Sequence, residues 1–558
     1  MKTAFFFLFV ILLTSCSGHK FGIIGMDGRY LLAPQFDDIW SFSEGAAVFR
    51  VGDYFGYIGT NGLIVIPPVF QKASSFSEGL AVTELSNRLY YIDKTGKPVF
   101  GGFYTEAYGF HEGFACVKEG EKYGYLDKNG GYLVKPSFLY AEDFSEGLAL
   151  VGYIPGKSSS HLNGKMRFGY IDKAGKIVIE LNSLVPEPKE LFAKMTAQAE
   201  SFHIKFQQTG KKPEGMTPAE ILGHLKSQSI DDKLFALWAI GELKMKDGTR
   251  ALVTALTNSD PSTRFLAVWG LGELMAVDAI LPLIQRLNDT DKTVKIAAIR
   301  TIVKIGGEFS LLPLIALLRD TDPDIRNTAF WAVQNLTIIK GSGFSEGKAI
   351  IIADELYGYI DLNGAVSVMP SFAYAFPFFN GFAVVKKGGY FGYIDHSGKP
   401  AGEFRYDTAA PFENGFAVVQ SNLLYGMIGA SGNWVAPAIY DDLYQYSDGL
   451  ALFCLSNRYG YLDKTGNVAI KPIFENGGHF TGGLAPVKGK GKYGYINIKG
   501  QLAIPFQYDE AGSFHDGLAP VNFMGKWGFI DQNGEFIIKP SFSDAYPFVK
   551  DIAPVKGE

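Results

Sequence analysis

Residues 122–153 read KYGYLDKNGGYLVKPSFLYAEDFSEGLALVGY, and the fold follows from how this stretch is built and how often it recurs. Lys122 to Asp127 alternate in polarity and are rich in aromatic residues, as a half-buried strand is. Asp127-Lys128-Asn129-Gly130 is turn chemistry, with an aspartate that bonds back to the chain and a glycine at the fourth position. Gly131 to Lys135 reads as a second strand, which Pro136 ends. Phe144-Ser145-Glu146-Gly147 reads as another turn, and Leu148 to Tyr153 as a third strand. The unit is therefore expected to be three short strands.

The pattern recurs eleven times, mostly every 34 residues. Its anchor is an aromatic-glycine-aromatic step around Gly22, Gly56, Gly124, Gly169, Gly358 and later copies to Gly528, with Tyr90 in place of glycine once. Six positions on, every copy has glycine, from Gly28 to Gly534. A period of 34 is also that of helical tetratricopeptide units, but two or three glycines and, in most copies, a proline per unit oppose a helix pair. A supersecondary unit copied and stacked is the expected architecture. The third strand carries alanine at one fixed place in every copy, from Ala47 to Ala553, which suits a tight contact between stacked layers.

These residues resemble the WG-repeat family, the short Gly/Trp-type β repeats of bacterial envelope and secreted proteins. Only Trp527-Gly528 keeps the literal pair; Tyr or Phe replaces tryptophan in most other copies. The resemblance covers residues 20–180 and 344–558. It implies a β-repeat scaffold and brings no established catalytic residue. The expected β part is an open β superhelix of eleven units. The alternative is a closed, propeller-like ring, in which the first strand, from Lys20, zips to the last, Ile552 to Lys556.

The spacing breaks twice. From Gly124 to Gly169 the step is 45, an excess of 11, which holds the polar loop Pro155 to Ser160. From Gly169 to Gly358 it is 189, an excess of 155. The fifth unit stops at Ile179-Glu180, and its missing half reappears as Phe344-Ser345-Glu346-Gly347, so a domain is inserted between its second and third strands. The insert has its own period of 31, seen in Asp260, Asp291 and Asp322, in Arg264, Lys295 and Arg326, and in Ala236, Ala267, Ala298 and Ala329. Asp-Pro at Asp260 and Asp322 suits a capped helix start. This resembles the HEAT-like repeats first associated with phycobilisome lyases, in four units over 217–336. The resemblance implies a helical solenoid used for binding, not lyase activity. Pro188 to Phe206 reads as an extra amphipathic helix, and Lys205 to Gly215 as a polar linker.

The expected organisation is thus 1–15 signal peptide, 16–183 β repeats, 184–341 helical insert and 342–558 β repeats. Ala4 to Leu13 is an apolar run of ten residues after Lys2, too short to span a bilayer. Leu13-Thr14-Ser15-Cys16 resembles the bacterial lipobox, which implies cleavage before Cys16 and lipid, palmitate included, on that residue. Ser17 beside it resembles what outer-membrane sorting permits.

A net charge of −5 argues against a nucleic-acid footprint. Cys116 and Cys454, the other cysteines, read as buried free thiols among apolar neighbours. His111 and His515 replace the serine of the Phe-Ser-Glu-Gly turn and read as surface turn residues. No histidine pair has metal spacing, and there is no phosphate loop or nucleophile elbow, so no catalytic, metal or cofactor residue is assigned. The aspartates that follow strand one, Asp93, Asp127, Asp172, Asp361, Asp395, Asp463 and Asp531, read as turn formers rather than a calcium ladder. The expected function is a non-catalytic, lipid-anchored envelope scaffold with protein partners. The alternative is glycan binding through exposed Tyr and Phe, motivated by an aromatic content of 14%.

Overall fold

The computed structural model describes residues 20–155, 164–211, 213, 215–306 and 311–557. Cys16 and the signal segment lie outside the described residues, as does the polar loop beyond Pro155. The chain divides into two compact units. One comprises Met1–Ala149, Lys173–Gly175 and Phe376–Glu558; the other comprises Leu150–Asp172 and Lys176–Ala375.

The first unit is a series of small antiparallel sheets, none of which closes into a barrel. All but one of the sheets have four strands where the sequence suggested three, because a further strand, two residues long in most copies, precedes the third strand of the repeat. The sheet is also offset from the sequence repeat. Asp38–Ile39 and Ala46–Val51 come from one copy, Tyr54–Gly59 and Ile64–Phe70 from the next, and they pair in that order. The tight hairpin between third and first strands joins the copies within one sheet.

Pro136 does not end the second strand, which runs over Tyr132–Phe138. Tyr123 pairs with Phe138 and Tyr125 with Val134, so the strand bulges between them, where a missing N–H does no harm. The bulge drives backbone towards Gly124, where a Cβ would lie 2.6 Å from the Val134 carbonyl oxygen. That approach is why the anchor column is glycine. The Phe-Ser-Glu-Gly turn is a two-residue hairpin with both central residues at positive φ, as at Glu146 (53°) and Gly147 (84°).

Burial fixes the stacking. Tyr57, Tyr91, Tyr125 and Tyr495 are fully buried, and each hydroxyl donates to a carbonyl 17 residues on: Ser74, Tyr108, Glu142 and Gly512, at 2.7 to 2.8 Å. Each ring also packs on a phenylalanine 19 residues on, as in Tyr57–Phe76 at 4.9 Å and Tyr125–Phe144 at 5.2 Å. Burial holds these phenols well above their ordinary pKa. The third-strand alanines are buried as expected, Ala115, Ala485 and Ala519 among them.

The first and last strands pair. Phe21–Gly25 lies between Tyr30–Phe36 and Ile552–Lys556, antiparallel to both. The two ends of the array therefore cover one another, by the strand pairing named above for the ring alternative. A Cβ on Gly28 would lie 2.9 Å from Ile538, just as one on Gly534 would lie 2.9 Å from Ile504. The eleventh copy therefore packs on the first as the tenth packs on the eleventh.

The second unit holds the helices and the strands on either side of them. The helices are α1 (Lys189–Gln208), α2 (Pro218–Gly223), α3 (Ile230–Glu242), α4 (Thr249–Ala255), α5 (Pro261–Glu273), α6 (Ile280–Gln285), α7 (Lys292–Ile305), α8 (Leu311–Ala316) and α9 (Pro323–Leu336). After α1 they form four short-long pairs, in step with the period of 31. Asp260, Asp291 and Asp322 accept from the first-turn N–H groups of α5, α7 and α9, so each is the expected cap. The extra helix extends to Gln208, which moves the start of the polar linker past Lys205. Strand Ile177–Glu180 precedes the helices and strand Lys340–Ser345 follows them. Asn182 donates to the Gln334 and Thr337 carbonyls, both at 2.8 Å, so the two ends of the insert lie together.

Candidate binding surfaces

In the β repeats each sheet carries one cross-strand row of side chains. In one sheet it is Asp38, Arg50, Phe55 and Phe70; in another Glu106, Lys118, Tyr123 and Phe138. In three sheets the first two members are an ion pair, with the acid first at Asp38 and Glu106 and the base first at Lys72. Arg50 Nε donates to Asp38 at 2.8 Å, Lys72 meets Glu84 at 2.6 Å, and Lys118 meets Glu106 at 3.0 Å. Lys118 also covers the Tyr123 ring at 5.2 Å, and Lys386 and Lys488 cover Phe391 and Tyr493 in the same way. The rows are polar and aromatic, half-buried, and differ in charge from sheet to sheet.

A second constellation links successive copies. The hairpin-turn carboxylates of Glu44, Glu78 and Glu112 accept the backbone N–H of Gly79, Gly113 and Gly147 at 2.8 to 2.9 Å. Each also meets a lysine two copies on, Lys94, Lys128 or Lys173, at 3.1 to 3.2 Å. Asp448 accepts from Gly483 in the same way at 3.0 Å. Burial raises the glutamate pKa values, but these bonds outweigh it and hold all three below the ordinary range. The sequence reading took this column for turn residues alone. The signal available was the Lys that follows Asp93, Asp127 and Asp172, each two copies after the glutamate it meets.

The aspartates after strand one are turn formers. Asp127 Oδ1 accepts from Asn129 and Gly131, and Asp93, Asp395, Asp463 and Asp531 accept from residues two and four on. No group of three or more potential metal ligands occurs among the described residues. Cys116 and Cys454 are buried and not joined in a disulfide. His111 is half exposed, 3.6 Å from Asp143, and His515 is exposed at its turn. Exposed aromatic rings occur at several different repeat positions rather than in one row: Tyr30, Tyr132 and Trp434 open second strands, while Tyr54 and Tyr390 follow hairpins.

In the helical unit the period of 31 also runs through Trp238, Trp269, Arg300 and Trp331, one from each of α3, α5, α7 and α9. Helix α1 lies along this column. Phe192 packs edge-on to Trp331 at 5.0 Å, Arg300 stacks on Phe192 at 4.7 Å, and Phe206 meets Trp238 at 5.6 Å. The units are held in step by charge. Arg264 forks onto Asp289 at 2.7 and 2.9 Å and donates to the Asn258 and Ser259 carbonyls, and Lys295 repeats the reach to Asp320 at 3.1 Å.

Comparison with known families follows the same division. The pattern described as HEAT repeats matches residues 280–342, so this part of the helical segment is similar to that family. Among curated proteins no relative matches the chain. The pattern described as WG containing repeat matches eleven times, at residues 21–54, 55–88, 91–123, 123–152, 168–182, 357–391, 391–422, 425–459, 459–493, 493–527 and 527–556. These matches span more than half of the chain, which belongs to the WG-repeat family.

Proposed function

We propose that the protein is a non-catalytic, lipid-anchored scaffold of the bacterial cell envelope that binds protein partners. One observation carries this reading: a single chain joins two repeat architectures, eleven WG repeats and a HEAT-type segment, each of which presents many similar side-chain rows. Repeat families of both kinds are scaffold or binding families. Protein is the favoured partner because three β rows open with ion pairs, acid first at Asp38 and Glu106 and base first at Lys72, a pattern suited to an extended polypeptide. A pull-down from envelope extracts against the full chain tests this. A reproducible protein partner supports the reading. Glycan-array binding without any protein partner overturns it, as does turnover of a substrate.

The anchor rests on Leu13-Thr14-Ser15-Cys16, with Ser17 favouring the outer membrane. Several acyl chains on Cys16, at roughly 0.8 kcal/mol per buried CH2, make attachment effectively permanent. Cys16→Ser is expected to release the protein from the membrane fraction or leave the precursor uncut. Unchanged fractionation and unchanged mass refute the anchor.

A further inference from the structure

Helix α1 stands outside the period of 31, yet it spans all four helical repeats. Its buried residues are Phe192, Met195, Ala199 and Phe206, at intervals of three, four and seven, the seam of a helix that packs along others. Twenty residues make a helix of about 30 Å. Three steps between neighbouring packed helices, at 8–10 Å each, come to roughly the same length. The contacts run in order: Phe192 on Trp331 of the fourth pair, Thr196 beside Arg300 of the third at 3.4 Å, and His203 and Phe206 on Trp238 of the first. One amphipathic helix therefore touches three of the four members of the column, Trp238, Arg300 and Trp331, and spans its length.

The hold is partial. No side chain caps the N-terminus of α1, and most of its residues are exposed. A shallow cleft follows its first half, lined by Glu187, Lys189, Phe192, Thr196, Glu200 and Arg300, so the column is open from the side at its third member. The C-terminal half is held by Phe206, buried against Trp238 and Phe235, and by the exposed pair of Lys205 with Asp231 at 2.6 Å, a kind worth little in water. Helices α3, α5, α7 and α9 pack on one another and on their short partners instead, with eight or nine buried residues each.

We propose that this column is a docking groove for an amphipathic helix of a partner protein, and that α1 is its resident occupant, which the partner replaces. The inference rests on the scaffold reading above and names its partner class. The replacing helix presents an aromatic residue against Trp331, a second about four turns on against Trp238, and a small or β-hydroxyl residue beside Arg300.

The test uses the full chain and a labelled synthetic peptide of residues 187–210. In the variant Phe192→Ala with Phe206→Ala, α1 is loosened and the peptide is expected to bind at least tenfold more tightly than to the unaltered protein. Adding Trp331→Ala is expected to remove that gain. A loosened variant with unchanged helical circular dichroism that fails to bind the peptide overturns the proposal. If the variant loses its helices, amide hydrogen exchange on the unaltered chain decides. Exchange in α1 at least a hundredfold faster than in α7 supports an exchangeable occupant, and equal protection overturns it. The two readings fail separately: peptide binding without envelope partners leaves the groove and removes the scaffold. Partners that bind equally well when α1 is cross-linked to the groove leave the scaffold and remove the groove.

Discussion

Tyr170 donates its hydroxyl to the carbonyl oxygen of Ser342 at 2.6 Å, 172 residues later in the chain. The equivalent bond in uninterrupted copies spans 17 residues, as from Tyr125 to Glu142. The difference is 155, the excess measured between Gly169 and Gly358. Tyr170 also packs on Phe344 at 4.9 Å, the partner other copies place 19 residues on. The ring and hydroxyl contacts of the interrupted repeat are thus restored across the insert, although its second strand, Ile177–Glu180, is shorter than Tyr132–Phe138 in an intact copy. Tyr170→Phe keeps the ring contact and leaves a buried carbonyl without its donor, at a loss of about 1–3 kcal/mol. Tyr125→Phe is expected to lose the same amount. Chemical denaturation of both variants checks this, and a far larger loss at Tyr170 would mean that the interrupted copy is the weaker one.

Gly124 and Gly147 separate two reasons for glycine. A Cβ at Gly147 meets nothing within 4 Å but sits at a φ of 84°, so Gly147→Ala should cost about 1–2 kcal/mol in backbone strain. At Gly124 the added atom collides with the Val134 carbonyl at 2.6 Å and the Pro136 nitrogen at 2.7 Å, both backbone and unable to rotate away. Gly124→Ala is expected to exceed about 3 kcal/mol, beyond ordinary overpacking. Equal losses in thermal melts would contradict the bulge as the cause of the anchor column.

The glycine columns made the repeat, its strands and the insertion legible, because a steric demand that recurs leaves the same residue each time. The two-residue fourth strand was not legible: Asp38–Ile39 has no pattern of its own and exists only because Arg50 and Phe49 pair with it. Pro136 misled for a related reason, since a proline at a bulge looks like a strand end. The pairing of Phe21–Gly25 with Ile552–Lys556 was visible as a possibility, but sequence gives no measure of whether two distant edges meet. The column Trp238, Trp269, Arg300 and Trp331 was present in the period of 31, yet its cover depends on where α1 packs. Cys16 lies outside the described residues, and its reading rests on the lipobox resemblance alone.

Asp289 has a side chain only 1% exposed and accepts hydrogen bonds from Nε and Nη2 of Arg264. Burial raises its pKa, but the bonds from Arg264 and the Asp291 N–H, with the charges of Arg264 and Arg286, pull it below the ordinary 3.8. A depressed carboxyl stabilises the fold above its unfolded pKa and loses that contribution as pH falls through the folded value. This contribution is therefore fully present at neutral pH and disappears below about pH 4. Arg264→Met leaves a buried charge with only Arg286, at 3.3 Å, and should destabilise the helical unit by about 3 kcal/mol at pH 7. The gap between variant and parent should narrow towards pH 3, followed by helical circular dichroism. A gap independent of pH would assign the loss to packing.

Removing residues 551–558 takes away the strand that pairs with Phe21–Gly25 and uncovers five backbone positions on an apolar edge. Ile552, Ala553 and Val555, all buried against the first and last copies, leave with it. The truncated chain is expected to melt earlier than the parent and to form oligomers by size exclusion, through pairing of the freed edge. A monomer with an unchanged melting temperature would show that the pairing adds nothing to stability.

The helical insert, bounded here at 184–341, is expected to be removable. Its ends meet through Asn182, and Gly341 lies against Leu181, so a short Gly/Ser linker from residue 181 to residue 342 spans the gap. The bond from Tyr170 to Ser342 is kept, as are the pairs of Phe344 with Ala349 and Ser345 with Lys348, while Lys340 and Gly341 leave with their pairing to Ile352 and Ile351. The tie from Arg319 to the Ser371 carbonyl at 2.6 Å is lost as well. Because that contact joins the helices to a strand of the same compact unit, the deletion should lower the melting temperature of the β part modestly without unfolding it. Residues 187–340 alone should be soluble and helical, since four repeats bury their own Leu, Ile and Ala faces. Strand circular dichroism and a single cooperative melt in the deleted chain support the boundaries. If the deletion unfolds the β repeats, the insert is part of their core and the boundaries are wrong.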